Sequence, residues 1–206
     1  MYDNRVFVLK RSTDRIINPF SDINGSEEYR TKQPVVVTSN GDVLVVINDV
    51  GIYKMRLDQN NVNWQLITTA GLNITSLAEG YQGDIWLGTN QGVHRMDASN
   101  LTLERKGIFT EEEITCLFSN GYNIFAGTKS GRIMTFSYGQ ESSEIRHGGH
   151  PINSIFVDSH GLIWFSDSEM GCYRINPETG NEKKFVQTVK VPDYDGSGGF
   201  FREANG

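Results

Sequence analysis

The sequence has few cysteines and prolines, no long apolar stretch and no cluster of basic residues. With 2 cysteines among 206 residues, it cannot contain the disulfide framework that staples many small secreted domains. No apolar stretch approaches the roughly 20 residues of a membrane-spanning helix, and none near the start resembles the apolar part of a signal peptide. The net charge is -6 and the longest basic run is Lys183-Lys184, which argues against nucleic acid as a partner.

Glycine and aromatic residues, by contrast, are plentiful. The 22 glycines greatly outnumber the 5 prolines, which predicts many tight turns. Aromatic residues make up 11% of the chain and hydrophobic residues 37%, which is enough for a packed core and too much for a disordered chain. The two cysteines, Cys116 and Cys172, fall in different predicted strands, and we expect both to be buried free thiols.

An internal repeat of about 40 residues dominates the sequence. Its clearest copy is the apolar segment Ile85-Trp86-Leu87-Gly88-Thr89. The aromatic residue recurs 39 residues later as Phe125 and 39 residues after that as Trp164, while Val45 stands 41 residues before Trp86. A period of about 40–45 residues with four short strands per unit is typical of a β-propeller. Helical repeats of similar length are excluded because the frequent glycines interrupt any helical periodicity.

Each unit is predicted to form one four-stranded antiparallel blade. The second strand is apolar at consecutive positions, which indicates burial on both faces between neighbouring blades. Trp86, Phe125 and Trp164 lie in these strands, and we expect them to be core residues rather than a sugar-stacking surface. The fourth strand is polar and suits an exposed sheet edge. The predicted fold is all-β, with four full β-propeller blades and partial blades at both ends. The full blades are predicted over 34–72, 73–112, 113–150 and 151–198. A partial blade and connector precede them over 1–33, and the first strand of a further blade follows over 199–206.

The units that match the pattern best resemble a known family. The segment Gly83-Asp84-Ile85-Trp86-Leu87-Gly88-Thr89 with Arg95-Met96-Asp97, and the later Ile163-Trp164, are similar to the two-component regulator propeller repeat. The other two units depart from it, since Val45 and Phe125 replace the tryptophan. Repeats of this family build the extracytoplasmic sensor regions of hybrid two-component histidine kinases, commonly in Bacteroidetes.

The resemblance implies a function and a location. It implies a periplasmic or otherwise extracytoplasmic sensor segment that is not an enzyme, whose ligand is a carbohydrate or another small molecule, and whose kinase lies outside the chain. A membrane would be reached only through segments outside the chain. The family's propellers usually have seven blades, about 280 residues at this period. We therefore expect either a fragment that associates with the missing blades or forms a homo-oligomer, or a five-bladed ring closed by strands from both ends.

One face of such a propeller collects the loops between second and third strands and the loops between blades. The side chains there are a mixture of amides, carboxylates and a cation, which suits hydrogen bonding to a carbohydrate or a peptide. The candidate ligand-binding residues are Asn48, Asp49, Asn90, Gln91, Lys129, Ser168, Glu169 and His150.

No other segment carries a complete catalytic or metal-binding pattern. His147 and His150 are close in sequence but lack further ligands, and we interpret them as part of a solvated linker. Residues 193–198 place carboxylates as a calcium loop does, but Ala204 stands where the bidentate glutamate is required, so a plain loop is predicted. No nucleophile elbow, phosphate loop or zinc-protease motif occurs. We therefore predict no catalytic residue, no metal and no cofactor.

Two other functions remain open. Some lyases of streptogramin antibiotics are propellers with similar Gly-x-Ile-Trp repeats. Such an enzyme needs a general base and usually a magnesium site on one face, and His150 is the only candidate base in this sequence. The remaining alternative is a protein-interaction scaffold.

Overall fold

The computed structural model describes residues 8–10, 15–17, 34–47, 51–58, 61–67, 71–97, 102–103, 112–137, 143–169 and 171–185. The chain divides into two compact units, Met1–Gly71 and Leu72–Gly206. In the described part, no helix has both the length and the apolar character needed to cross a membrane.

The first unit contains a strand pair and one four-stranded sheet. Strand β1 (Val8–Lys10) pairs antiparallel with β2 (Arg15–Ile17). The larger sheet, sheet A, consists of β3 (Val35–Val37), β4 (Val43–Ile47), β5 (Gly51–Asp58) and β6 (Asn61–Ile67), each antiparallel to the next. The side chains from Leu44 to Ile47 are all buried, as expected of a second strand.

The second unit contains three further antiparallel sheets in chain order. Sheet B consists of β7 (Ile74–Glu79), β8 (Ile85–Thr89) and β9 (Gly92–Met96), with one turn of 3-10 helix at Tyr81–Gly83 and a bridge from Met96 to Leu103. Sheet C consists of β10 (Ile114–Ser119), β11 (Asn123–Thr128), β12 (Arg132–Ser137) and β13 (Ser143–Arg146). Sheet D consists of β14 (Ile152–Val157), β15 (Ile163–Asp167), β16 (Cys172–Ile175) and β17 (Glu182–Phe185).

These sheets confirm the predicted all-β fold of propeller blades. In each one the strands pair in sequence order, so a blade is a meander of successive hairpins. The segment 199–206, predicted to begin a further blade, lies outside the described residues.

Two apolar clusters hold the sheets of the second unit together. The cluster between sheets B and C contains Trp86, whose ring stacks on Phe136 with centroids 6.1 Å apart. The cluster between sheets C and D contains Phe125 and Phe165. Burial of apolar surface at about 25 cal/mol per Å² makes these contacts the main stabilising term between sheets. Trp86 and Phe125 are therefore core residues, as predicted.

Trp164 does not follow the prediction for its repeat position. It is only half-buried, and strand β15 alternates between buried and half-buried positions. Its indole Nε1 donates a 2.8 Å hydrogen bond to Asp158, and its ring stacks on Phe185 at 5.2 Å with the Arg174 guanidinium 5.4 Å from the ring centre. The indole packs within its own sheet in this structure, which a repeat register alone does not reveal.

The first strands of neighbouring sheets are also linked by side-chain hydrogen bonds. The Thr75 hydroxyl on β7 donates to the Ile114 carbonyl oxygen on β10 at 2.5 Å. The equivalent Thr115 on β10 donates to the Ile152 carbonyl oxygen on β14. Because consecutive sheets repeat the same bond, their loops are held in register at the edge where β7, β10 and β14 begin.

Candidate ligand-binding face

In the second unit, the turn between second and third strands lies beside the residue that precedes the first strand of the same sheet. A backbone N–H in each turn donates to the carbonyl oxygen of that residue, which fixes the turn at the sheet end. We call this end of sheets B, C and D the loop face. The bonds are Asn90 to Asn73 at 3.2 Å, Lys129 to Glu113 at 2.9 Å and Ser168 to Pro151 at 2.9 Å.

A buried polar side chain closes each of these turns from within. In sheet B the Thr89 hydroxyl donates to the Gly92 carbonyl oxygen at 2.9 Å and accepts the Gln91 N–H at 3.0 Å. In sheet C Thr128 holds the corresponding place and accepts the Arg132 N–H at 2.9 Å. Both threonines are fully buried. Each turn is therefore rigid, and the two residues that follow the threonine project from a fixed frame.

Sheet D carries an aspartate where the other two sheets carry threonine. Asp167 is 1% exposed, and its Oδ1 accepts the backbone N–H groups of Glu169 at 3.1 Å and Gly171 at 2.8 Å. Burial raises the pKa of this carboxyl, but hydrogen bonds from Gly171, His147, Tyr173 and Glu169 together outweigh burial and leave the pKa below its usual value. The turn is thus closed by an ionised carboxylate rather than by a hydroxyl.

The exposed residues differ from one turn to the next although the frame is the same. Sheet B presents two amides, Asn90 and Gln91, both exposed. Sheet D presents an imidazole beside a carboxylate, with His150 Nδ1 3.5 Å from Glu169 Oε1 and both side chains well exposed.

Sheet C presents charged pairs between these two turns. Lys129 Nζ lies 2.6 Å from Glu113 Oε2 at the surface. Behind it, Glu112 accepts from Ser130 at 2.9 Å and forms an ion pair with Arg132. The acidic residues of this sheet are therefore neutralised by cations, and they do not form an unshielded carboxylate cluster.

Six of the eight predicted ligand-binding residues belong to this face. The structure places Asn90, Gln91, Lys129, Ser168, Glu169 and His150 on the three turns or next to the first strand they touch. Asn48 and Asp49 lie outside the described residues. A role in binding stays a prediction for all eight.

His147 was interpreted as part of a solvated linker, and that interpretation is wrong. Its side chain is only 8% exposed, and its ring lies edge-on to Phe165 and Tyr173 with centroids 4.7 and 4.2 Å away. Ring Nδ1 lies 2.9 Å from Glu182 Oε2 and ring Nε2 lies 3.4 Å from Asp167 Oδ2. The sequence analysis did not predict this contact. The one signal in the sequence that points to it is Asp167, a charged residue at the repeat position where the two preceding units have Thr89 and Thr128.

The described residues offer little else for chemistry. No group of three or more His, Cys, Asp or Glu among them is placed to hold a metal ion. Both cysteines are free thiols, as predicted, and each is partly buried. Burial raises the pKa of Cys116 to about 12 and also raises that of Cys172, so neither thiol is activated as a nucleophile. The segment 193–198, for which a plain loop is predicted, lies outside the described residues.

Comparison with known proteins identifies the repeat. Residues 70–91 match the family described as two component regulator propeller, and this segment spans β7, β8 and the turn that follows β8. No curated protein sequence matches the chain.

Solved propeller structures share the fold. Virginiamycin B lyase from Staphylococcus aureus is 13% identical with a TM-score of 0.66, over 94% of this chain and 65% of the lyase chain. The extracellular domain of a B. thetaiotaomicron protein designated hybrid two component system BT4673 is 17% identical with a TM-score of 0.64, over 92% of this chain and 26% of that domain. A second such domain, from BT3049, is 16% identical with a TM-score of 0.59, over 74% and 22%.

Identities of 13–17% show a shared fold and nothing finer. The chain also spans less than two thirds of the lyase chains and about a quarter of the extracellular domains. Within the second unit, however, the strand pattern, the turn frame and the sequence match at residues 70–91 agree with one another. Residues 70–91 therefore match one repeat of the two-component regulator propeller family, as the sequence predicted.

Proposed function

We propose that this chain is the ligand-sensing propeller segment of a two-component sensor, that it lies outside the cytoplasm, and that its loop face binds a carbohydrate or another small extracellular ligand. The observation that carries the proposal is the loop face itself, where three turns share one rigid frame and differ in the polar side chains they present. The repeat match at residues 70–91 supports the sensor context, and the similar extracellular domains support the location.

The chemistry of the face suits a neutral, hydroxyl-rich ligand. Asn90 and Gln91 each offer two donors and an acceptor, while His150 and Glu169 add an imidazole and a carboxylate. Sugar hydroxyls both donate and accept, so a mixture of amides and paired charges can satisfy them without a strong net field. Rigid turns favour affinity because little conformational entropy is lost on binding.

The segment is proposed not to be an enzyme. The carboxylates of sheet C are paired with Lys129 and Arg132, which leaves them poorly suited to act as general bases. Signalling instead requires that the ligand bind two arrangements of the propeller with different affinity. We expect the chain to act together with further blades or with a second copy of itself.

A lyase resembling the streptogramin enzymes is the second candidate, and the likeness to virginiamycin B lyase is the observation that favours it. His150 is the residue best placed to act as a base, because it is exposed at the loop face with Glu169 beside Nδ1. Turnover of a streptogramin B antibiotic, with and without Mg²⁺, is therefore the discriminating activity assay.

The test is a thermal-shift screen of the full chain against a panel of oligosaccharides, followed by calorimetry on any hit. A ligand at 100 times its Kd stabilises the protein by about 2.7 kcal/mol, which is easily measured. His150→Ala is expected to weaken binding about two- to tenfold, the value of one hydrogen bond. The matched control is His160→Ala, because His160 is exposed at the opposite end of sheet D.

The outcomes separate the candidates. Stabilisation without turnover, weakened by His150→Ala and not by His160→Ala, supports the sensor. Turnover of the antibiotic identifies a lyase instead. Equal losses in both histidine variants would place the binding site somewhere other than the loop face.

A further inference from the structure

The buried His147 joins two sheets of the second unit. Its backbone belongs to sheet C, since its N–H donates to the Gly131 carbonyl oxygen at 2.9 Å. Gly131 has a φ of +81°, and a side chain there would collide with the carbonyl oxygens of His147 and His150. The His147 ring belongs to sheet D, where it lies among Phe165, Tyr173, Asp167 and Glu182.

The two ring nitrogens of His147 face different carboxylates. An imidazolium has two N–H groups and can donate to both, whereas a neutral imidazole has one N–H and one lone pair. In the neutral form, one ring nitrogen would present its lone pair to a carboxylate oxygen, which is repulsive. The observed arrangement, with Glu182 at 2.9 Å and Asp167 at 3.4 Å, is therefore satisfied in full only by the protonated ring.

Other charges surround this contact and compete with it. Lys184 on β17 lies over the Tyr173 ring, with Nζ 5.1 Å from the ring centre, and interacts electrostatically with Asp167. On the side of sheet C, Arg146 immediately precedes His147. Arg132 lies opposite Arg146 in the pairing of β12 with β13. Glu144 neutralises both arginines at 3.2 and 2.8 Å. The groups that face the ring directly are thus the two carboxylates and Tyr173.

Asp167 connects the ring to the loop face. One oxygen of its carboxylate lies against His147, and the other accepts the N–H groups of Glu169 and Gly171, which close the β15–β16 turn. Ser168 and Glu169 project from that turn. A change of charge on His147 therefore reaches the turn through a single shared carboxylate.

We propose that His147 is a proton-dependent clasp between sheets C and D, which holds the β15–β16 turn in place when protonated and loosens it when neutral. The clasp sets how Ser168 and Glu169 are presented. Any effect on ligand affinity rests on the proposed function, but the clasp itself does not.

The test is an NMR titration of the full chain, free of ligand, from pH 8 to pH 5. The ring signals of His147 and the backbone amides of Glu169 and Gly171 are expected to shift with one common midpoint. In His147→Gln the amide shift at that midpoint disappears. His150→Gln is the matched control, because His150 also lies beside Glu169; the Gly171 amide should keep its midpoint in that variant.

A second variant keeps the proposal testable if His147→Gln does not fold. Glu182→Gln leaves the histidine in place and removes one of its two carboxylates, so the common midpoint of the amide shifts should move to lower pH. Amides that do not shift, that shift with the His150 ring, or that keep their midpoint in Glu182→Gln would overturn the clasp. None of these results bears on whether the loop face binds a ligand.

Discussion

Gly88 offers a sharp test of how closely the blades pack. It lies in β8 without positive φ, so an alanine there meets no backbone strain. A β-carbon added at this position would lie 2.2 Å from Ser76 Oγ on the same sheet and 2.7 Å from Ile114 Cγ2 on sheet C. Ordinary contacts between such atoms are about 3.5–4.0 Å, so both neighbours would have to move.

The magnitude follows from two opposing effects. Replacing glycine by alanine in a strand removes backbone entropy from the unfolded chain and gains roughly 0.5–1 kcal/mol. Overpacking a buried contact costs about 1–3 kcal/mol. Since the clash involves two neighbours and one of them belongs to another sheet, we expect Gly88→Ala to lower the free energy of unfolding by about 1–2 kcal/mol. At this chain length each kcal/mol corresponds to about 2–4 °C in Tm.

The assay is thermal and urea unfolding of Gly88→Ala, Ser76→Ala and the double variant. Ser76 Oγ is buried and has no hydrogen-bond partner among the described residues, so removing it should be nearly neutral. The double variant should recover part of the loss, because only the Ile114 contact remains. Gly148→Ala is the control, since the nearest atom to its added carbon is 3.7 Å away. A Gly88→Ala protein as stable as the parent, or additive losses in the double variant, would refute the packing described between sheets B and C.

Two further predictions concern buried titratable groups. Because the Cys116 thiol has its pKa raised to about 12, it should resist alkylation at pH 8 in the folded chain and react only on unfolding, and mass spectrometry should find Cys172 labelled first. His94 is buried with no partner for either ring nitrogen among the described residues, and burial lowers its pKa. The folded state therefore binds a proton at His94 less readily than the unfolded state does, so stability is lost as the pH falls below about 6.5. In the parent protein the urea midpoint should fall between pH 7 and pH 5, and His94→Leu should make that fall smaller. An equally large fall in His94→Leu would contradict this assignment.

The fold was predictable because it depends on a short-range pattern that recurs. Glycine is the penultimate residue of the second strand at Gly88 and Gly127, and the first strand of the neighbouring sheet packs directly against both. Apolar residues before these glycines fill the space between sheets. A period, a strand type and a turn type are all visible in sequence, and together they define the blade. The partial exposure of Trp164 was not predictable in this way, since its position depends on contacts with Asp158 and Phe185 rather than on its place in the repeat.

The candidate site was predictable only as a set of turns. Asn90, Lys129 and Ser168 could be placed on one face because equivalent repeat positions occupy equivalent places in each blade. The contact made by His147 could not be placed, because its partners lie 20 and 35 residues further along the chain. The local sequence His147-Gly148-Gly149-His150 is typical of a linker, and only the tertiary structure turns one of its histidines inward.

The departure of one repeat from the others explains why that histidine is buried. Thr89 and Thr128 close their turns with neutral hydroxyls, which need no counter-charge. Asp167 closes the equivalent turn with a carboxylate that is 1% exposed, and a buried charge without a partner is strongly destabilising. Two backbone N–H groups donate to one of its oxygens, and the His147 ring and the Tyr173 side chain supply further hydrogen bonds to the carboxylate. His147 lies on the segment that leaves sheet C, so a charged residue at a single repeat position ties two blades together through this histidine and couples their contact to a proton.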